Sequence, residues 1–365
     1  MRLAHVADVH LDAQFAQFEP EVARRRRQAL REAFSRAVML AVEEGVEALL
    51  IGGDLYENER VSPDTTEYLR ALFARVAPLA IYIAPGNHDW YGPESVYGQI
   101  EWSANVHLFS EARLTPVELT ADLTLWGAAH RAPANTGGFL NGFRVNRNGV
   151  HLALFHGSER GELPRQEGKV PHAPFSAGQL EVAGFDHAFL GHYHRPVAAE
   201  RHTYPGNPEP LTFGEEGERG LVVATVGADG RIDRQWHKVS MTEVADLSVN
   251  LSGCRSRQDV LERVGASLEG RSGYVRLTLT GTLGDAVDLR LGDVQAAAPA
   301  SVEALIPHAE ALSIDYPIAA IVDEPTVRGR FVRDVLEAEL PDQQRERVLV
   351  TGLRALEGRD DLEVL

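Results

Sequence analysis

Five short clusters of metal-ligating side chains within the first two hundred residues constrain this sequence more than any other feature. The clusters are Asp8-Val9-His10, Gly53-Asp54, Gly86-Asn87-His88-Asp89, His156-Gly157 and Gly191-His192-Tyr193-His194. Most of them come directly after an apolar run, at residues 3–7, 49–51, 81–84, 152–155 and 188–190. Runs of this kind predict buried strands, so the clusters lie in loops at the carboxyl ends of strands. That edge is where open α/β folds bind their ligands.

The ligand types predict a centre of two divalent metal ions. Two ions held roughly 3.5–4 Å apart need a shared anionic bridge and several further oxygen or nitrogen ligands. We expect Asp54 to be the bridge. Asp8, His10 and His194 would complete one site with it, and Asn87, His156 and His192 would complete the other. Such a centre activates water and stabilises the charge that develops on a phosphoester, which predicts a phosphoesterase.

The ligand set also favours particular metals and leaves one residue over. Carboxylate, amide and imidazole groups without a thiolate favour Mn²⁺, with Fe²⁺ as the alternative. His88 belongs to neither ligand set. We expect it to protonate the leaving alkoxide and to contact a phosphate oxygen, because histidine titrates near neutral pH. Asp89 is predicted as a second catalytic residue that orients His88, and the alternative is that it caps the following loop.

No single cluster would establish a metal site. A lone histidine such as His10 is more often structural, and Gly86-Asn87 is first of all a turn signal. The prediction depends on all five clusters occurring together in one order. The remaining histidines are expected to be structural or on the surface: His5, His107, His130, His151, His172, His187, His202, His237 and His308.

In this order, the clusters resemble the D-x-H, G-D, G-N-H-[DE], H and G-H-x-H motifs of the calcineurin-like metallophosphoesterase superfamily. The likeness covers residues 1–240. It implies the four-layer α/β/β/α sandwich of that superfamily, in which two sheets pack face to face between outer helices.

A narrower likeness is carried by Gly52-Gly53-Asp54-Leu55-Tyr56, Tyr204-Pro205-Gly206-Asn207-Pro208 and Phe213-Gly214-Glu215. These segments resemble the SbcD-type DNA repair exonucleases, and more closely their short bacterial branch. The resemblance implies Mn²⁺-dependent exonuclease and endonuclease activity on DNA in double-strand-break repair, a homodimer, and a coiled-coil partner ATPase of the SbcC type. One residue departs from the pattern. Glu57 stands where many members carry a histidine, three residues after the bridging aspartate, and this bears on how the DNA strand is positioned.

The periodicity of apolar residues predicts three segments. Residues 1–240 form the metallophosphoesterase domain, residues 241–323 a small α+β cap, and residues 324–365 a C-terminal helical segment. A length of 365 residues agrees with one large and one smaller folding unit. The fold class is therefore α/β, a four-layer metallophosphoesterase sandwich with a small α+β cap and C-terminal helices.

Composition bears on the compartment and the partners. A single cysteine, Cys254, excludes an intrachain disulfide. The first predicted strand begins directly at the N-terminus, and no apolar run approaches the length of a membrane span. We therefore expect a soluble, cytoplasmic protein with no membrane partner. The net charge of −17 argues against DNA as the partner. The basic run from Arg24 to Arg27 is either a solvated helix face or a phosphate contact.

Two alternatives to a DNA nuclease stay open. A small-molecule phosphodiesterase acting on a cyclic nucleotide or a nucleotide diester would use the same metal centre and suits the acidic charge. A binding module with a vestigial site is the other, and the intact ligand set argues against it.

The apolar stripe of the last segment also has two explanations. It either packs on the cap or docks on the partner ATPase. The stripe comprises Val327, Phe331, Val335, Val348, Leu349, Leu353 and Leu356.

Overall fold

The computed structural model describes residues 1–165, 170–217 and 219–359, apart from the side chains of Arg165 and Glu310. The chain forms two compact units. The first comprises Met1–Leu211 and Gly217–Thr242, and the second comprises Thr212–Glu216 and Glu243–Leu365. The predicted C-terminal helical segment belongs to the second unit.

The first unit contains strands β1 (Arg2–Val6), β2 (Ala48–Ile51), β3 (Ala80–Ile83), β4 (Val106–Leu108), β5 (Thr115–Thr120), β6 (Leu123–Gly127), β7 (Val150–His156), β8 (His187–Gly191), β9 (Val197–Ala198), β10 (His202–Tyr204), β11 (Gly220–Val226) and β12 (Ile232–Lys238). Its helices are α1 (Pro20–Glu43), α2 (Pro63–Arg75), α3 (Val96–Gln99) and α4 (Ala177–Ala183). The strands make two six-stranded sheets, in the orders β12-β11-β1-β2-β3-β4 and β5-β6-β7-β8-β10-β9. β1 to β4 run parallel, as do β6, β7, β8 and β10.

Three apolar layers hold this unit together. The inner layer joins the two sheets and contains Leu3, Leu50, Leu125, Leu154 and Phe189. A second layer packs α1 and α2 on the outer face of the first sheet, and a third covers the outer face of the second sheet, where α4 lies. This is the predicted α/β/β/α sandwich, and the fold class is confirmed.

The long first helix shows why the sequence folds this way. α1 begins at a proline, and its buried face follows helical spacing through Leu30, Ala33, Phe34, Ala37, Val38 and Ala41. The basic run is split between buried and exposed positions. Arg26 is buried and pairs with Glu209 at 3.0 Å, whereas Arg24 is exposed and pairs with Glu21 at 2.7 Å. Arg26 is therefore a structural cation, whereas Arg24 and Arg25 lie on the exposed face of the helix.

The second sheet includes a short hairpin and a proline-containing strand. Residues 197–203 form the antiparallel pair β9 and β10, and the chain reverses at the polar residues Glu200 and Arg201. Strand β5 carries Pro116. β5 is the edge strand of its sheet, where proline is tolerated because no ladder hydrogen bond is lost.

The second unit contains strands β13 (Val244–Asn250), β14 (Gly273–Gly284) and β15 (Val302–Asp315), which form a parallel sheet in that order. Its helices are α5 (Arg257–Ser267), α6 (Leu291–Ala296), α7 (Ile318–Val322), α8 (Val327–Glu337) and α9 (Asp342–Leu356). The last two helices bury Val332, Val335, Leu349, Val350 and Leu353 in the core of this unit. None of the helices in the described ranges is long and apolar enough to cross a membrane.

The apolar stripe of the last segment therefore packs largely on its own unit, which was one of the two explanations. Within that stripe Val327 is 74% exposed and Leu356 is 46% exposed, so the helical spacing placed them on the wrong face.

We expect Leu353→Ala to lower the free energy of unfolding by roughly 2–5 kcal/mol, the usual loss for a buried leucine. The matched control is Leu356→Ala on the same helix, which should change it by no more than about 0.5 kcal/mol. Urea unfolding of the full chain measures both, and equal effects would contradict this packing.

Two histidines in the inner layer make the fold sensitive to acid. His5 and His187 are fully buried, and burial lowers the pKa of each to about 3. Both are therefore neutral in the folded protein, while the same groups in the unfolded chain take up protons below about pH 6.5. Proton uptake by the unfolded chain therefore lowers the free energy of unfolding as the pH falls from 6.5 toward 3. The loss is about 2 kcal/mol for each histidine at pH 5, and it is absent above pH 6.5.

We expect the metal-free protein to unfold at a lower urea concentration at pH 5 than at pH 7. His5→Leu should reduce the loss of unfolding free energy between pH 7 and pH 5 by about 2 kcal/mol, because leucine does not titrate. Carboxylates elsewhere contribute equally to the wild type and the variant, so the comparison isolates His5. An unchanged pH dependence in His5→Leu would show that this histidine accepts a proton inside the fold.

Candidate metal centre

The predicted ligands lie at the carboxyl ends of strands from both sheets. Asp8 and His10 follow β1, Asp54 follows β2, Asn87 follows β3, His156 ends β7, and His192 and His194 follow β8. The backbone at four of them is left-handed, with φ of 57° at Asp8, 50° at His10, 51° at Asp54 and 108° at His192. Non-glycine residues rarely adopt this conformation, and such strain is concentrated at functional sites.

Two glycines allow the sheets to approach closely at this edge. Gly53 has a φ of +90°, and a Cβ there would lie 2.7 Å from the Gly86 nitrogen and 2.8 Å from His156 Nδ1. A Cβ at Gly191 would also lie 2.8 Å from His156 Nδ1 and would collide with the Gly52 carbonyl oxygen. Larger residues would therefore push the loops of Asp54 and His156 apart.

One group of ligands comprises Asp8, His10 and His194, whose ligating atoms lie within 4.8 Å of one another. His10 Nε2 lies 3.2 Å from His194 Nε2 and 3.7 Å from Asp54 Oδ2. His10 Nδ1 lies 2.7 Å from a carboxylate oxygen of Glu57, to which it donates its proton. The Nε2 lone pair is then directed at the pocket, where several electron-pair donors converge as a cation requires.

A second group comprises Asp8, Asp54 and His156. His156 Nδ1 donates to the Gly52 carbonyl at 3.0 Å, so its Nε2 carries a lone pair and faces Asp54 Oδ2 at 3.2 Å. Both His156 Nε2 and Asn87 Oδ1 are buried without a hydrogen-bond partner among the described residues. Buried acceptors that face one another without a donor are unfavourable, and a bound cation removes the conflict. The residues present therefore fit a divalent metal ion.

Asp54 belongs to both sides of the pocket. Its Oδ2 lies near His156 and His10, while its Oδ1 accepts the backbone N–H of His88 at 2.8 Å. Burial alone would raise the pKa of Asp54, but in the metal-free protein the imidazoles of His156, His10 and His88, when protonated, hold it well below its usual range. A carboxylate that stays charged between two groups of ligands has the placement expected of the bridge.

The remaining predicted ligand, His192, is held by its own loop and by a neighbouring one. Its backbone N–H donates to Asp8 at 2.9 Å, and its Nε2 donates to the Val170 carbonyl at 2.9 Å. The ring stands 5.2 Å from that of His156, centroid to centroid. Glu57, the Gly52 carbonyl and the Val170 carbonyl thus each hold one nitrogen of a ligand histidine, as outer partners do in metal sites. The sequence could not identify either carbonyl, because every residue carries a backbone carbonyl and the residue type does not show which one accepts a hydrogen bond.

Glu57 contacts two histidines of the predicted site at once. Its second oxygen lies 2.9 Å from His88 Nδ1, so one carboxylate connects His88 to the predicted ligand His10. Burial raises the pKa of Glu57, but the hydrogen bonds from His10 and His88 outweigh this effect and lower it to about 2. Glu57 is therefore charged at neutral pH.

Asp89 has a different place from the one predicted. It is fully buried, and its two oxygens accept the backbone N–H groups of Asp54, Leu55 and Gly86 and the hydroxyl of Tyr97. With its acceptor sites taken up in this way, it ties together the loops after β2 and β3. We therefore correct its catalytic assignment: Asp89 positions the loop of Asp54 and does not face the pocket.

Two histidines expected to be structural or exposed lie beside the centre. His130 is fully buried and donates from Nε2 to the backbone carbonyl of His156 at 2.8 Å. His172 lies on the loop between β7 and α4, with its ring 5.4 Å from that of His192. His130 comes three residues after β6, at the same carboxyl-end edge as the predicted ligands, so the rule that located them could have found it. His172 lies 16 residues after β7, and that rule gave no sign of it. Residues 166–169 of this loop lie outside the described residues.

The contacts of Glu57 lead to a prediction. We expect Glu57→Gln to lower the affinity for one metal ion by roughly 10- to 100-fold, the usual loss when an outer partner is removed. His10 and His88 donate to different oxygens of Glu57, and in glutamine one of these oxygens is replaced by an NH₂ donor, so one of the two hydrogen bonds is lost. Glu59→Gln, an exposed change on the same loop, is the matched control. Metal titration by calorimetry measures both, and equal affinities in the two variants would contradict the role of Glu57.

These donors define a metal-dependent phosphoester hydrolase, a class in which divalent ions are held between carboxylate, amide and imidazole groups. The chain belongs to the calcineurin-like phosphoesterase family, whose model matches residues 1–196. It is 28% identical over 304 residues to the uncharacterized metallophosphoesterase YhaO of Bacillus subtilis, covering 76% of this chain and 71% of that protein.

Two further similarities extend this comparison. The chain is 29% identical over 299 residues to the DNA double-strand break repair protein Mre11 of Methanopyrus kandleri, covering 72% of this chain and 62% of that protein. Among solved structures, TT1561 of Thermus thermophilus aligns with a TM-score of 0.37 at 13% identity, over 64% of this chain and 98% of that chain.

Proposed function

We propose that this protein is a Mn²⁺-dependent DNA exonuclease and endonuclease of double-strand-break repair. The observation that carries the proposal is the similarity to Mre11, which covers 72% of this chain. That share is larger than the metal-binding unit of residues 1–211 and 217–242, so the likeness reaches into the second unit. The donor set without thiolate supports Mn²⁺, with Fe²⁺ as the alternative.

In this proposal, Asp8, His10, Asp54 and His194 hold one ion, and Asp54, Asn87, His156 and His192 hold the other. The ions supply an activated water and neutralise charge on the phosphodiester. His88 protonates the leaving 3′ or 5′ oxygen from Nε2, because its Nδ1 is engaged by Glu57. Glu57 fixes the ring, and the Asp54 carboxylate holds the His88 backbone beside the reacting phosphate.

The second candidate is a phosphodiesterase for a cyclic nucleotide or nucleotide diester, and the net charge of −17 favours it. One experiment separates the two. The purified protein with Mn²⁺ is given end-labelled single-stranded and duplex DNA, a cyclic nucleotide and a chromogenic phosphodiester, beside its metal-free form. Digestion of DNA with far lower activity on the cyclic nucleotide supports the nuclease, and the reverse pattern supports the alternative.

Two partners belong to the same proposal. A homodimer and an ATPase of the SbcC type are expected from the resemblance to SbcD-type nucleases. Most of the apolar stripe of α8 and α9 is packed in the core of its own unit. An ATPase would therefore have to contact exposed residues such as Val327, Leu336 and Leu356. Co-purification of the ATPase with the wild type but not with a triple variant to serine at these positions tests this.

A further inference from the structure

An arginine beside the metal centre is held rigidly without a carboxylate. Arg131 donates from Nε to the Tyr91 carbonyl at 3.1 Å and from Nη1 to the Ser110 carbonyl at 2.9 Å. Its guanidinium carbon also stands 5.0 Å from the centroid of the Tyr91 ring. The side chain is exposed, and within the described ranges it makes no ion pair. Such a planar cation is fixed in direction before anything binds.

The contacts around Arg131 place it at the rim of the pocket. Tyr91, which holds it, comes three residues after His88, and the Tyr91 N–H donates to the His130 carbonyl at 2.8 Å. His130 is the neighbour of Arg131 in the chain and donates to the backbone of the ligand His156. Arg131 is thus connected on one side to the proposed acid and on the other to a metal ligand.

Arg131 keeps its positive charge in an acidic protein. The protein has 53 acidic and 36 basic residues, and exposed arginines such as Arg70 and Arg147 pair with carboxylates at 2.7 and 2.6 Å. Arg131 instead uses neutral carbonyls as its partners, so its positive charge is not cancelled. Of the five N–H donors of a guanidinium, two are engaged, which leaves three for an outside acceptor.

We propose that Arg131 binds a phosphate of a single-stranded DNA segment next to the phosphate that is hydrolysed. The proposal rests on the nuclease function proposed above. Phosphate oxygens match the paired N–H groups of a guanidinium, and the exposed face of the plane offers a stacking surface for a base. A local cation of this kind explains how a protein of net charge −17 holds a polyanion at its active site.

The test compares Arg131→Gln with Arg75→Gln. Arg75 is exposed, has no carboxylate partner in the described ranges, and ends α2 just before β3 begins, at the sheet edge opposite the ligands. We expect Arg131→Gln to weaken binding of a single-stranded oligonucleotide and its kcat/KM by roughly tenfold, as the loss of a charged hydrogen bond does. The slope of log affinity against log salt should fall by about 0.7. Arg75→Gln should change neither quantity.

A chromogenic phosphodiester carries no neighbouring phosphate, so its hydrolysis should be the same in both variants and in the wild type. Arg131→Lys should restore the salt slope but not the full affinity, because lysine keeps the charge without the fixed plane. Equal DNA binding and cleavage in Arg131→Gln and Arg75→Gln would overturn the role of Arg131 and leave the nuclease proposal standing.

If the wild type hydrolyses the small diester and binds the oligonucleotide without cleaving it, the nuclease proposal fails. The binding comparison then still decides the role of Arg131. If the wild type does not bind the oligonucleotide at all, the inference is overturned as well. Melting temperatures of the three variants should match that of the wild type, since both arginines are exposed.

Discussion

Asp54→Asn should lose metal from both predicted sites, leaving close to none of the metal that the wild type binds. The structure gives the reason in the two oxygens of this side chain. Oδ1 accepts the N–H of His88 at 2.8 Å, while Oδ2 faces the pocket, 3.2 Å from His156 Nε2 and 3.7 Å from His10 Nε2. An asparagine can keep only one of these interactions.

If the amide oxygen stays with the His88 N–H, the NH₂ group points into the pocket and repels a cation. If the amide is flipped, the loop that carries His88 loses its anchor. The negative charge is lost in either orientation. We therefore expect each affinity to fall by more than the roughly 10- to 100-fold typical of an outer partner, and hydrolysis of every phosphodiester to fall with it.

Metal analysis of purified variants measures this effect. His194→Ala provides the contrast, because His194 belongs to the group of Asp8 and His10 alone and its loss should empty mainly one site. Circular dichroism should show the same fold in both variants. Two ions per chain in Asp54→Asn would exclude this residue as the bridge.

The order of strands and ligands could be predicted from the sequence because both arise from local patterns. Apolar runs mark parallel strands, and polar residues directly after them must lie at one edge of the sheet. Asp8, Asp54 and His156 followed this rule, and the structure brings them together. The pairing of strands into two sheets came from the family resemblance, since a periodicity of two does not say which strands are neighbours.

The residues that support the ligands could not be predicted in the same way. Asp89 follows His88 in the chain, yet its side chain turns away and accepts backbone N–H groups of the loop after β2. His130 lies 26 residues from His156, donates to its backbone carbonyl, and stands with its ring 5.6 Å from the His156 ring, centroid to centroid. Contacts of this kind depend on how loops from different strands fold over one another, which no short motif records. Glu57 was noticed only because it departs from a family pattern.

His88→Ala should keep both metal ions and lose roughly 10²- to 10⁴-fold in the turnover of DNA, the usual contribution of a general acid. Its side chain is 43% exposed and is held through Nδ1 by Glu57, so Nε2 is the atom that can reach a leaving oxygen. The His10 and His88 rings stand 4.7 Å apart, which places the acid beside the metal pocket.

The leaving group provides the decisive control for His88. The alkoxide released from DNA needs a proton, whereas the nitrophenolate released from a chromogenic diester is stable as an anion. The loss in His88→Ala should therefore be large for DNA and much smaller for the chromogenic diester. Asp54→Asn, in contrast, should impair both substrates, because it removes the metal ions that each requires. A His88→Ala protein that sheds metal, or that loses the two activities equally, would make His88 a ligand or a binding residue and would leave the leaving-group proton to another donor.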